Sequence, residues 1–218
     1  MSFDPWPARE ADTTAFIDAF ARVVQLIADD RLAEAEAVLS VIAEVGTRGT
    51  RILRAPRILE MPEIPTVART ANMPVKRIQA AIFARDNYTC RYCNRRTIHT
   101  AILDAVSRIY PETFRSHSNW KMGETDFAYW RCSISLEHIR PLTRSGGNEI
   151  KNLITACWRC NELKGNSLLC EVGWEISPVS ERSWDGLTSF LKGLAKKVQP
   201  PRNHFEQWVR AIEQPAAI

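Results

Sequence analysis

The stretch that decides the fold covers residues 135–166 and reads S-L-E-H-I-R-P-L-T-R-S-G-G-N-E-I-K-N-L-I-T-A-C-W-R-C-N-E-L-K-G-N. The residues around its start predict a strand over 133–139, and the two adjacent glycines that follow predict a turn. Residues 153–156 predict a short return strand, and residues 158–164 predict the start of a helix. Four polar side chains can point into the small volume that this hairpin and helix enclose: Glu137, His138, Asn152 and Asn161.

Two pairs of cysteines have the spacing C-x-x-C, one before this stretch and one within it: Cys90 with Cys93, and Cys157 with Cys160. A gap of two residues lets both thiolates of a pair face one ion, and two pairs complete the tetrahedral four-cysteine site that structural Zn²⁺ prefers. One pair alone would fit a redox dithiol equally well. The 63 residues between the pairs are far more than a zinc ribbon contains, so we expect an inserted functional unit that the ion holds at its ends.

The polar residues of the enclosed volume suit the hydrolysis of a phosphodiester bond. That reaction needs a hard cation at the phosphate and a base that deprotonates water near neutral pH. Glu137 and Asn161 offer the oxygen ligands that Mg²⁺ or Mn²⁺ accepts, and His138 suits the base because histidine changes its charge nearest to neutral pH. Since neighbours on a strand face opposite ways, Glu137 and His138 require a bulge or a twist to reach the same volume.

The stretch over residues 135–166, together with the two cysteine pairs, resembles the HNH endonuclease motif. In that family an acid and a histidine, an asparagine in the loop, and a final histidine or asparagine lie on a ββα element that a four-cysteine zinc site often braces. The resemblance covers about residues 83–167 and includes the ending K-G-N at 164–166. It implies a metal-dependent DNA endonuclease with structural Zn²⁺ and catalytic Mg²⁺ or Mn²⁺. The implied fold is α+β and mainly helical, with a ββα-metal core and flanking helices.

The resemblance also implies a role for each residue of the stretch. Glu137 and Asn161 would hold the catalytic ion, and His138 would be the general base. Asn152 would tie the loop and orient the histidine. Asn161 stands where many members have a histidine, which favours hard ions over Zn²⁺ or Ni²⁺ in the catalytic site. Three cations are candidates for contact with nucleic acid: Arg140, Arg144 and Lys164.

The charges divide the chain near residue 46. Residues 1–46 contain nine acidic and three basic residues, whereas the rest of the chain contains 26 basic and 16 acidic residues. Helical periodicity predicts an antiparallel hairpin over 13–45 that starts from an N-cap at Asp12. An acidic surface repels the phosphates of DNA, so we expect this hairpin to be an accessory unit for a homodimer or another protein contact. The basic remainder of the chain suits a polyanionic partner such as DNA.

The chain after this hairpin divides into a connector, a nuclease core and a C-terminal extension. The connector, residues 47–73, holds five arginines among three prolines and suits either a phosphate backbone or plain solvent. The core, residues 74–170, begins with a short helix that has Pro74 in its first turn. The extension, residues 171–218, predicts two further helices, at about 186–197 and about 203–213.

The core contains an insertion over residues 94–132. A helix is predicted there at about 98–109, and an aromatic stretch follows it. The aromatic side chains can stack on unpaired bases or pack a core, and packing is the more common use.

The sequence contains nothing close to the 18 apolar residues that a membrane span needs, and its first ten residues lack the basic start of a signal peptide. These features predict a soluble, cytoplasmic protein with no membrane partner. In that compartment six cysteines are more often metal ligands or thiols than disulfides.

Two other functions stay open on the sequence alone. A zinc-braced nucleic-acid-binding module that does not cleave would use the same fold and basic face, and Glu137 in place of the more usual Asp or His favours it. An interaction protein would use the acidic hairpin and would have no salt-sensitive affinity for DNA. The HNH motif is used in restriction and defence against foreign DNA, homing, repair and phage DNA processing. The residues of this stretch are compatible with each of these roles.

Overall fold

The computed structural model describes residues 10–45, 73–181 and 183–218. Within these ranges the chain forms nine α-helices and one two-stranded sheet, so the fold is α+β and mainly helical, as predicted. The helices are α1 (Glu10–Ala28), α2 (Leu32–Ile42), α3 (Lys76–Arg85), α4 (Thr100–Ile109), α5 (Ala128–Cys132), α6 (Trp158–Lys164), α7 (Leu169–Val172), α8 (Leu191–Lys197) and α9 (Asn203–Glu213). The strands are β1 (Ile134–His138) and β2 (Leu153–Cys157). The predicted connector over 47–73 lies outside the described residues except for Met73.

None of the helices in the described ranges is long and apolar enough to cross a membrane.

The predicted ββα unit is present. Strands β1 and β2 pair antiparallel, in a register that runs from Ile134 opposite Cys157 to His138 opposite Leu153. Helix α6 follows β2 directly and packs against both strands. The pairing is continuous through Glu137 and His138, so the bulge expected between these two residues is absent from β1.

The predicted helices are present, with some shifted ends. Helix α1 begins at Glu10, so Asp12 lies inside the helix and is not its N-cap. Helix α3 begins at Lys76, so Pro74 precedes the helix and does not occupy its first turn. The helix predicted at 186–197 is a 3₁₀ turn followed by α8, and α9 begins and ends where the sequence predicted it.

The hairpin of α1 and α2 shares one core with the middle and the end of the chain. Its buried apolar side chains belong to the same cluster as those of α4, α5 and α8. Phe20, which is fully buried, lies against Phe114 with the ring centroids 5.4 Å apart. The acidic side chains of the hairpin lie on its outer surface, where Asp30 and Glu34 are exposed.

Backbone and charge contacts also join the hairpin to residues 96–131. The Phe127 N–H donates to the Glu44 carbonyl at 2.6 Å, and the Glu44 N–H donates to Asp126 Oδ2 at 2.8 Å. Asp18 pairs with Arg96 at 2.6 Å. This arrangement corrects the expectation of an accessory unit. The apolar face of the hairpin is covered by the rest of its own chain, so a homodimer through that face has no support.

The insertion between the cysteine pairs belongs to the same core. Ile98 bonds through its backbone to both Cys132 and Ile134, so the insertion leaves and returns at neighbouring points. Its aromatic side chains are mostly buried and in contact with one another. They therefore pack the core, which excludes the alternative that they stack on bases. The buried ones are Phe114, Phe127, Tyr129 and Trp130.

Substitution of Phe20 by alanine tests whether the hairpin is integral to the fold. We expect Phe20→Ala to lower the free energy of unfolding by about 3–5 kcal/mol, because a fully buried phenylalanine leaves a cavity when it is truncated. Val41→Ala is the control, since Val41 on α2 is 82% exposed and its truncation should change the free energy by less than about 0.5 kcal/mol. The measurement is urea unfolding followed by tryptophan fluorescence. Equal stability of the two variants would support the interpretation of the hairpin as an accessory unit.

Candidate active site and zinc cluster

The four cysteines of the two C-x-x-C pairs converge on one point. Their Sγ atoms all lie within 4.8 Å of one another, and the Sγ atoms of Cys93 and Cys157 are 3.9 Å apart. Four thiolates around a tetrahedral Zn²⁺ are separated by roughly 3.8 Å, given the usual metal–sulfur distance. The donor set therefore fits one structural ion of the kind that the sequence predicted. The Cys160 N–H also points at Cys157 Sγ, at 3.5 Å, where it caps the start of α6.

A buried aspartate holds the first cysteine pair against β2. Asp86 is fully buried; its Oδ1 pairs with Arg91 and its Oδ2 accepts from the Thr155 N–H, each at 2.8 Å. The Arg91 N–H donates in turn to the Thr155 carbonyl at 2.9 Å. Because Arg91 lies between the two cysteines of the first pair, these bonds place that pair beside Cys157. Sequence reasoning missed Asp86, whose signal was its position four residues before the first cysteine.

A cleft of about 450 Å³ is lined by the end of β1, the loop that follows it, and α6. Three of the four predicted catalytic residues line this cleft: Glu137, His138 and Asn161. Asn152 does not line it and lies at the far end of the loop, just before β2. The structure thus brings together the two predicted ion ligands and the predicted base.

Glu137 is buried and forms an ion pair with Lys164. The Lys164 Nζ donates to Glu137 Oε1 at 2.5 Å and to the His138 carbonyl at 3.0 Å. Tyr92, which lies between the first two cysteines, donates more weakly to the same Oε1 at 3.4 Å. Burial raises the pKa of Glu137 above its ordinary value, and the ammonium of Lys164 opposes that shift. The second oxygen, Oε2, accepts no hydrogen bond from the described residues and is not sealed from the cleft.

Asn161 is held by its amide nitrogen. Its Nδ2 donates to Ser135 Oγ at 3.2 Å and to the Leu136 carbonyl at 3.3 Å, both on β1. The amide oxygen accepts nothing within the described part of the chain. Glu137 and Asn161 therefore each present an oxygen without a protein partner, and both residues line the same cleft. Two such oxygens fit a hard divalent cation.

His138 contacts a residue that sequence reasoning missed. Its Nε2 lies 2.8 Å from Asn148 Oδ1, whereas Asn152, which was expected to orient the histidine, bonds elsewhere. Asn152 Oδ1 accepts from the Arg140 N–H at 2.8 Å, and its Nδ2 donates to the Gly147 carbonyl at 2.8 Å. The side chain of Asn152 therefore ties the two ends of the loop, and none of these hydrogen bonds reaches His138.

The three predicted nucleic-acid contacts differ in exposure. Arg140 is exposed on the loop after β1. Arg144 is buried and pairs with Glu171 at 3.3 Å. Lys164 has a fully buried side chain and is paired with Glu137. In this structure, therefore, Arg140 is available to a phosphate, whereas Arg144 and Lys164 are engaged inside the protein, which corrects the expectation for these two.

Comparison with known proteins gives one match. Residues 129–167 match the family model described as HNH endonuclease. No curated protein and no solved structure matches the chain. The matched segment contains β1, the loop, β2, α6 and the second cysteine pair, whereas the first cysteine pair lies outside it. The chain therefore carries an HNH endonuclease domain, built on a ββα unit and joined to a four-cysteine cluster.

Proposed function

We propose that this protein is a metal-dependent DNA endonuclease that hydrolyses phosphodiester bonds in the cleft described above. The observation that carries the proposal is the shared position of Glu137, His138 and Asn161, which line one cleft within the segment that matches the HNH family. A carboxylate, an amide and an imidazole thus line a space of about 450 Å³, which supports the proposal.

Glu137 and Asn161 would hold the catalytic ion, Mg²⁺ or Mn²⁺, because the oxygen that each presents to the cleft is a ligand that a hard divalent cation accepts. When bound, the ion supplies neutralisation of the scissile phosphate and of the leaving oxygen. Lys164 keeps the other oxygen of Glu137 occupied, at 2.5 Å, so the carboxylate meets the cleft with one oxygen in a fixed orientation. The bonds from Asn161 Nδ2 to β1 fix the direction of its own oxygen.

His138 accepts a proton from the attacking water, and Arg140 contacts a phosphate of the DNA backbone. The imidazole suits this step because an unprotonated ring nitrogen can accept a proton. Arg140 is exposed at the edge of the loop, and its Nε donates to the Arg144 carbonyl at 2.6 Å. Contacts with the phosphate backbone position DNA without reading its sequence. A defence or restriction role is one use of such chemistry and stays a proposal.

The four-cysteine cluster has a structural role in this proposal, with Zn²⁺ as its ion. Its thiolates come from the turn after α3 and from the junction of β2 and α6. An ion held there would fix the start of α6, which carries Asn161 and Lys164. The cluster is closed by four protein ligands, as structural zinc sites are, whereas catalytic zinc sites keep one position open.

A second candidate function has one specific observation in its favour. Because the ammonium of Lys164 already neutralises Glu137, the carboxylate needs no metal ion for charge balance. A zinc-braced module that binds nucleic acid without cleavage would have the same pair. This alternative predicts DNA affinity that falls steeply with salt and no strand breakage.

Incubation of the purified full chain with supercoiled plasmid separates the two candidates. We expect conversion of the plasmid to nicked or linear DNA with Mg²⁺ or Mn²⁺ and none with added chelator, because the cleft needs the ion. The zinc content is measured in the same samples, so that loss of the structural ion is distinguished from loss of the catalytic ion. Salt-sensitive DNA binding without cleavage under any of these conditions would contradict the nuclease and support the binding module. Absence of both would support an interaction protein.

A further inference from the structure

The contact between Asn148 and His138 determines which nitrogen of the imidazole is available. Asn148 Oδ1 lies 2.8 Å from His138 Nε2. A carbonyl oxygen can only accept a hydrogen bond, so Nε2 must carry the hydrogen and donate it. In the neutral imidazole the lone pair then lies on Nδ1.

The surroundings of His138 agree with a free Nδ1. His138 is only 8% exposed, yet it lines the cleft. Within the described residues Nδ1 has no hydrogen-bond partner, and it is not among the buried polar atoms that lack one. This nitrogen is therefore open to a small molecule in the cleft while Nε2 is engaged.

The loop holds Asn148 in place through the neighbouring peptide. The Asn152 side chain donates to the Gly147 carbonyl at 2.8 Å, directly before Asn148. Gly146 lets the loop close, since a Cβ there would lie 1.9 Å from the Arg140 carbonyl oxygen. The Gly146 N–H also donates to the Pro141 carbonyl at 3.0 Å. The loop conformation thus presents Asn148 to the histidine.

We infer that Asn148 is the positioning residue of His138, which it holds by Nε2 so that Nδ1 takes the proton of the attacking water. The inference rests on the proposed nuclease function and deepens it. As the proton passes from the water to Nδ1, the water oxygen forms a bond to phosphorus. The bond from phosphorus to the leaving strand end breaks, and the leaving oxygen takes a proton from solvent. In this arrangement Asn148 acts on the reaction through the imidazole of His138.

Nitrogen NMR of the imidazoles tests this arrangement without any cleavage. The ¹⁵N-labelled, zinc-loaded full chain is measured at one alkaline pH, and His138 is assigned by comparison with His138→Gln. We expect the ¹⁵N shifts to place the hydrogen on Nε2. Asn148→Leu should yield a mixture of tautomers, Asn148→Asp should keep the Nε2–H form because it keeps an acceptor, and Asn119→Leu, which changes an exposed asparagine elsewhere, should change nothing.

Nicking rates provide the second readout. We expect Asn148→Leu to slow nicking roughly tenfold, the effect of losing one hydrogen bond worth about 1.4 kcal/mol, with an unchanged Mg²⁺ or Mn²⁺ midpoint. Asn148→Asp should recover most of the rate. The inference is overturned if wild-type His138 carries its hydrogen on Nδ1, or if Asn148→Leu leaves the tautomer unchanged. If the wild type shows the Nε2–H form but never nicks DNA under any metal, the proposed function fails, and the assignment of Nδ1 as the proton acceptor fails with it.

Discussion

Replacement of Cys157 by serine should release the ion of the four-cysteine cluster and unfold the ββα unit. A structural zinc site supplies roughly 10–16 kcal/mol of apparent binding free energy to the folded state, which is comparable to the whole stability of a typical domain, about 5–15 kcal/mol. Cys157 also ends β2 and caps α6 through its Sγ. Its loss therefore affects the ion and the strand-to-helix junction together. The measurements are zinc content by elemental analysis and helix content by circular dichroism.

Cys170→Ser is the matched control for this substitution. Cys170 is exposed on α7 and lies outside the cluster, so the same chemical change there should leave zinc content and helix content unchanged. We expect about one Zn²⁺ per chain in the wild type and in the control. A folded Cys157→Ser protein with full zinc content, or active wild-type protein without zinc, would show that the cluster is not a structural zinc site.

Replacement of His138 by alanine should lower the nicking rate by roughly 10²–10⁴, the usual cost of losing a general base. In the proposed site the ion would be held by Glu137 and Asn161, so His138→Ala would remove only the proton acceptor. We expect the metal concentration at half-maximal rate, and the affinity for DNA, to stay as in the wild type. The measurement is the nicking rate as a function of Mg²⁺ or Mn²⁺ concentration, with DNA binding measured in parallel. His117→Ala is the control, because His117 lies outside the cleft.

The two proposed ion ligands should respond differently from the base. Asn161→Ala and a substitution of Glu137 should raise the metal concentration that is needed for half-maximal rate. Glu137→Gln is preferred to Glu137→Ala, because the amide oxygen of glutamine can still accept a hydrogen bond from the buried ammonium of Lys164. Removal of one partner of a buried ion pair typically costs about 3–5 kcal/mol, and unfolding would hide the effect on the ion. A metal midpoint that shifts in His138→Ala, and stays constant in Glu137→Gln and Asn161→Ala, would reverse these roles.

The cysteine cluster and the ββα unit could be predicted from the sequence because their signals are local or chemical. Cys157 and Cys160 are separated by two residues on one turn, and two such pairs suit the tetrahedral four-thiolate site of structural zinc. The alternation along β1 and the apolar run of β2 have the period of a strand. The family match at residues 129–167 covers this region.

The role of the hairpin could not be predicted from its acidic side chains. These side chains lie on its outer surface and do not indicate what covers its apolar face. The apolar face of α1 could have packed against a second copy of the chain or against its own core. The contact between Phe20 and Phe114, 5.4 Å between ring centroids, decides for the core. Those two residues are far apart in the sequence, and no local pattern links them.

The sequence by itself determined which chemical groups were candidates: four thiolates for the cysteine cluster, and a carboxylate, an imidazole and the amides of Asn152 and Asn161 for the cleft. Only the tertiary structure decided which groups are engaged inside the protein and which stay open. Lys164 is buried by its pairing with Glu137, and Arg144 by its pairing with Glu171, each partner 27 residues away. Asn148 holds His138 because the loop folds back over ten residues. The exposure of a long polar side chain depends on the distant surface that packs over it, whereas its chemistry depends on the residue alone.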